Sequence, residues 1–292
     1  MTLSDLASRD FPEGLMTSFK YRTPAAALRC LAEGSLYFAK PSELNDMLEA
    51  KYEHATPDDF TRGMMQTYSE IGQQRGQALE FDQRGIAEMA EAHALECQRL
   101  QAFTEQIGIL SAAQRPDHQA MWAYYADNAS GVCFELEWSQ EIADRYQLWA
   151  TDVQYHGKAR VHNRADDWRH VFLELAQEHP DASLETLHQL SLEESARRKA
   201  GILTASRVVS VKHTDWSHET EIRLLAPKYG ALPVLADVLK RVHYVRRDGD
   251  HWPDIFHLLA TRYPWVELVH WQFAHGKITA RPTPMEIRLI PV

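Results

Sequence analysis

The segment Glu219-Thr-Glu221-Ile-Arg223-Leu224 sets a charged side chain at every second position, with Thr220, Ile222 and Leu224 between. In an extended chain successive side chains point to opposite sides. Read as a strand, it therefore places Glu219, Glu221 and Arg223 on one face and Thr220, Ile222 and Leu224 on the other. Two carboxylates and a guanidinium backed by an apolar face suit a polar cleft built on a sheet. The same pattern also describes a solvent-facing strand tied by ion pairs.

Other segments repeat this period. Phe19 to Arg22, Ser35 to Ala39, Ile107 to Ser111, Val132 to Trp138, Leu148 to Tyr155, Leu239 to Val245, Val266 to His270 and Lys277 to Arg281 read as strands. Thr23-Pro24 starts a helix, with Thr23 as N-cap and Pro24 in the first turn, and Gly34 closes it. Ser42 is placed to cap a following turn, while Met121, Trp122 and Tyr125 share one helical face between His118 and Asp127. Ser206 to Lys212 leads into the acidic strand, and Trp252 to Tyr263 is helical. Helical, polar stretches over about 57–106 and 165–200 interrupt the strands. Without regular βαβ alternation the expected class is α+β: a single domain over 1–292, with a mixed or antiparallel sheet and two helical insertions.

A formal net charge of -10 disfavours a broad electrostatic grip on nucleic acid, and the basic clusters Arg197-Arg198-Lys199 and Arg246-Arg247 are short. Cys30, Cys97 and Cys133 are odd in number and lack metal-ligand spacing, and Cys30 and Cys133 sit in apolar runs that imply buried thiols. With no signal-like start and no apolar run of membrane-spanning length, a cytoplasmic location without membrane contact is expected.

Three segments in register resemble a family of bacterial proteins known as a domain of unknown function, DUF2971. They are Tyr21-Arg22 through Leu36-Tyr37-Phe38-Ala39 to Asn45-Asp46, then Leu110-Ser111 with Met121-Trp122, Tyr125 and Gly131-Val-Cys133, then Lys212 through Trp216, Glu219, Glu221 and Arg223. Leu44 and Met47 stand where the family tends to have Phe and Pro.

The order of an early Arg, a helix, an aromatic strand and a late Glu-x-Glu strand is similar to the layout of ADP-ribosyltransferases, which bind NAD between two small sheets. That resemblance implies Arg22 as anchor for a phosphate or ribose, with Tyr21, Tyr37, Asn45, Ser111, Trp122, Tyr125 and Arg223 lining the cofactor pocket. It also implies Glu221 and Glu219 as the catalytic pair, since a carboxylate favours the oxocarbenium-like state of N-glycosidic cleavage. The expected substrate is NAD, with no resident metal, an unidentified protein or nucleic-acid acceptor, and a toxic or defensive role in a bacterium.

Two rival readings use other residues. Asn45-Asp46, Glu49 and Glu53 beside the acidic strand suit a metal-dependent nuclease or hydrolase. The helical stretches alternatively present a surface for a protein partner on an inert core. His213, His218 and His243 show no metal-binding spacing and are read as surface or packed side chains.

Overall fold

The structure is a computed structural model that describes residues 15–45, 53–78, 81–157, 161–245, 250–274 and 277–282. In chain order the elements begin with β1 (Met16–Arg22), α1 (Pro24–Glu33), β2 (Leu36–Phe38), β3 (Glu53–His54), α2 (Pro57–Arg75) and α3 (Gln83–Thr104). Next come β4 (Gly108–Ala113), α4 (Gln119–Tyr125), β5 (Val132–Trp138), α5 (Gln140–Tyr146), β6 (Trp149–Asp152), β7 (Gln154–His156) and β8 (Val161–His162). Helices α6 (Arg164–Glu178), α7 (Leu184–Ser191) and α8 (Glu194–Val209) then precede β9 (Val211–His213), β10 (Glu221–Ala226) and β11 (Gly230–Leu232). The chain ends through α9 (Leu235–Val238), β12 (Leu239–Tyr244), α10 (Trp252–Arg262), β13 (Glu267–Ala274) and β14 (Lys277–Pro282). Contacts divide it into two compact units. A sheet unit holds the described residues up to Lys40, Ile107–Val153 and Asp215 onward, and a helical unit holds 41–106 and 154–214.

The sheet unit carries an eight-stranded sheet in the order β14-β13-β12-β5-β1-β4-β10-β6. The β12–β13 pair is parallel and the other ladders are antiparallel, so the fold is α+β with a mixed sheet. Pairing of Phe19 with Ala113 and of Ala113 with Glu221 fixes which side chains share a face. One face buries Leu110, Phe134, Leu136 and Leu224 with Leu31 of α1 and Ile255 of α10. The other packs Tyr21, Ala113 and Cys133 against Met121 and Trp122 of α4.

Local chemistry explains α1. The Thr23 side chain accepts from the Ala26 N–H, Pro24 sits where no intrahelical donor is needed, and Gly34 takes the left-handed conformation at φ 68°. Ser42 lies within a 3₁₀ turn over Pro41–Glu43.

The helical unit packs Phe60, Met64, Tyr68 and Ile71 of α2 against Trp168, Val171 and Phe172 of α6, with Leu184 and Leu187 of α7. Gly63 permits the close approach, because a Cβ there would lie 2.6 Å from the Ala165 Cβ. The second helical stretch runs on to Val209 rather than ending near residue 200. Val208 and Val209 are β-branched and read as strand locally, but both are buried, and tertiary packing holds them helical. At the unit's centre Asp167 is fully buried, held by His162 Nε2 at 2.7 Å, Thr204 Oγ1 at 2.6 Å and Arg207 Nη1 at 2.7 Å. No helix among the described residues is long and apolar enough to cross a membrane.

Candidate functional site

The site is framed by α4 and the turn after it. Trp122 is fully buried, donates its indole N–H to the Pro116 carbonyl at 2.8 Å, and meets Tyr21 edge-on with ring centroids 5.2 Å apart. Asp127, Asn128 and Ala129 then take positive φ in succession. Asp and Asn tolerate that conformation, whereas alanine at φ 67° is strained. The turn brings Gly131 so close to β1 that a Cβ would lie 2.1 Å from the Arg22 carbonyl oxygen. A side chain at this position has no room, and this accounts physically for the glycine of the Met121–Cys133 motif.

The acidic segment departs from the simple strand. Glu219 belongs to a 3₁₀ turn over Thr214–Glu219, Thr220 turns the chain at φ 43°, and β10 starts only at Glu221. Glu221 and Arg223 do share a face, but Glu219 does not extend that row. Both carboxylates are buried at 3% exposure, where an ion needs a partner. Tyr125 donates its hydroxyl to Glu219 at 2.5 Å, and Arg223 Nε donates to Glu221 at 2.7 Å.

Arg22 stands on the other side. Phe19, Ala113 and Glu221 share a face by register, and Arg22 is three residues beyond Phe19, so the pleat turns it to the opposite one. Register thus sets the early guanidinium and Glu221 on opposite faces of the sheet, although both act on the Lys20 ammonium between them. Lys20, which sequence reading missed, shares the Arg22 side of β1. It donates to the Ser111 carbonyl where the β1–β4 ladder ends. Its pKa falls to about 7, first because of burial and then because of Arg22, while Glu221 and Glu219 partly oppose the shift.

The remaining expected pocket residues come from several elements. Tyr21 is buried and donates its hydroxyl to the Arg115 carbonyl at 3.0 Å, and burial raises its pKa. Ser111 pairs with Arg223 across the ladder, Tyr37 is 46% exposed on β2, and Asn45 belongs to the helical unit. Asp46 and Glu49 lie outside the described residues, as does the Glu53 side chain. Among the described residues no group of three or more His, Cys, Asp or Glu is arranged to hold a metal.

The structure adds flat rings around Glu219. His218 lies with its centroid 6.0 Å from His118, 6.3 Å from Trp216 and 6.3 Å from Tyr124. Tyr124 is 69% exposed, and the other three are half-buried. His218 Nδ1 donates to the Asp215 carbonyl at 3.0 Å, and its Nε2 has no hydrogen-bond partner. His118 Nδ1 has none either; burial and then His218 lower its pKa, so it is neutral at pH 7. The sequence signal for this cluster was weak, because these residues come from two distant segments.

His243 is a packed histidine. It accepts from the Trp271 indole at Nδ1 (2.8 Å) and donates from Nε2 to buried Glu135 (2.7 Å). Arg241 Nη1 binds the other Glu135 oxygen at 2.7 Å, a pairing that with His243 holds this carboxyl below its usual range against the cost of burial.

Residues 121–224 match the family model DUF2971, described as a protein of unknown function. No curated protein matches the chain, and no solved structure matches it.

Proposed function

From a chain that carries a DUF2971 region over residues 121–224, we propose an enzyme that cleaves the nicotinamide–ribose bond of NAD, with Glu219 as its reacting carboxylate. The observation that carries this reading is the Tyr125–Glu219 hydrogen bond beside a rim of half-exposed flat rings. Trp216, Tyr124 or His218 offers a face on which nicotinamide stacks. As the C1′–N bond breaks, its electron pair neutralises the pyridinium nitrogen. Glu219 then stabilises the positive charge left on the ribose. Neutral His118 takes a proton from water or an acceptor hydroxyl as oxygen bonds to C1′. Tyr125 holds Glu219 in place, and the Glu221–Arg223 pair keeps the start of β10 in register. Arg22 is not assigned the diphosphate, because it lies on the other sheet face.

The test is nicotinamide release from NAD by the full chain, read by liquid chromatography beside thermal shift. The parent is expected to release nicotinamide, and Glu219→Gln to lose at least about a hundredfold of the rate while keeping its melting temperature. Neither a shift nor release at millimolar NAD would refute the reading.

A second reading rests on how fully these carboxylates are partnered. If the acidic segment is scaffold for a partner-binding protein, Glu219→Gln changes stability alone and NAD stays intact.

A further inference from the structure

The helical unit contains a cavity of about 290 Å³ that the proposed chemistry does not use. This is near the lower end of the roughly 300–1,000 Å³ typical of small-molecule sites. Phe60, Tyr68 and Trp168 form aromatic walls, and Met64 and Met89 add adaptable sulfur-bearing surface. Leu95 and Leu192 line it while 50% and 43% exposed, so the cavity opens through an apolar rim.

Its polar end is Arg164. This residue is 1% exposed and opens α6, where the helix dipole opposes a cation. Its Nε and Nη2 have no hydrogen-bond partner. These two nitrogens form one edge of the guanidinium fork, the edge that grips a carboxylate through two parallel bonds; neither has accessible surface, so a ligand reaches them by displacing Glu96. Glu96 approaches Nη2 at 3.5 Å without hydrogen-bond alignment, and its other oxygen is 3.4 Å from Arg99. Cys97 also lies within reach of the Arg164 charge. Arg99 and Arg197 line the cavity as well, so its cations outnumber the one carboxylate. The two lining histidines stay neutral: His93 is stacked on Phe60 at 4.2 Å, and His188 meets the Tyr68 hydroxyl at 2.6 Å through Nδ1.

We infer that this cavity binds a small carboxylate with an apolar body, such as a medium-chain fatty acid, with its head group on the Nε–Nη2 edge of Arg164 and its tail between Phe60, Tyr68 and Trp168. The apolar rim admits the tail, and the net positive lining selects an anion within an acidic chain.

Isothermal titration of the full chain with decanoate, and with decanol as the uncharged control, tests it. Decanoate is expected to bind at least about tenfold more tightly than decanol, and Arg164→Met to weaken it by a similar factor. Because Arg164→Met removes a buried side chain, two milder variants accompany it. Glu96→Gln removes the competing carboxylate and tightens binding, whereas Leu192→Glu sets a negative charge at the exposed mouth and weakens it. Equal affinity for decanol and decanoate, no binding of decanoate below its micelle concentration, or indifference to both milder variants would overturn the inference. None of these readouts depends on NAD.

Discussion

Replacing Lys20 by methionine tests the electrostatics at the edge of the candidate site without touching its carboxylates. The Lys20 ammonium reaches the Ser111 carbonyl, and its pKa drops from 10.5 to about 7 on folding, mainly through burial. Below the folded value the side chain is charged in both folded and unfolded chains, and the full cost of burying the charge is present. Between about 7 and 10.5 the unfolded chain holds a proton that the folded chain has released, so unfolding takes up protons and stability rises with pH. At about 1.36 kcal/mol per pKa unit, moving from about pH 6.5 to 9.5 gives the parent roughly 3 kcal/mol. Lys20 retains some accessible surface, and solvent screening brings the expected gain nearer to about 2 kcal/mol. Lys20→Met keeps the side-chain length and removes the titration. Its loss of the bond to Ser111 shifts stability by the same amount at every pH and drops out of the comparison. Urea unfolding of both proteins at several pH values should therefore show the difference, variant minus parent, falling by about 2 kcal/mol across this window. Parallel curves would mean that the amine remains solvated and charged, and would refute the argument.

Three further substitutions probe other parts of the structure. Glu221→Gln removes the charge facing Arg223, which is fully buried, and should cost about 3 kcal/mol in urea unfolding. Gly131→Ala forces a methyl group against the Arg22 carbonyl oxygen and should cost about 2 kcal/mol or more, visible as a lower melting temperature. Asp167→Ala leaves His162 and Thr204 without their shared acceptor and Arg207 without its counter-ion, and should cost about 3 kcal/mol, with helical circular dichroism lost at lower urea.

The parts of the fold that depend on neighbouring residues were legible in the sequence. Thr23, Pro24 and Gly34 carry their own stereochemical reasons, and the strands from Val132 and Leu239 are written in their alternation. The candidate site was less legible, because its geometry depends on distant pairings. Whether Arg22 meets Glu221 depends on the Phe19–Ala113 register, which no local pattern encodes. The departure of Glu219 from the strand rests on a single left-handed threonine, a conformation that threonine's composition disfavours. Lys20 reads as an ordinary strand lysine until β4 is set beside it. Arg164 reads as an ordinary helix-start residue until Glu96 of α3 and the cavity are set beside it.

The chain leaves the sheet unit after Lys40, returns at Ile107, leaves again after Val153 and returns at Asp215. Strand β4 thus gains one neighbour from before the first excursion and the other from after the second. During synthesis β4 emerges with the β10 side of its backbone unsatisfied until the second excursion has been translated. Such high contact order slows folding and favours a nascent intermediate with an open strand edge. That edge stays open to other chains until β10 pairs with it.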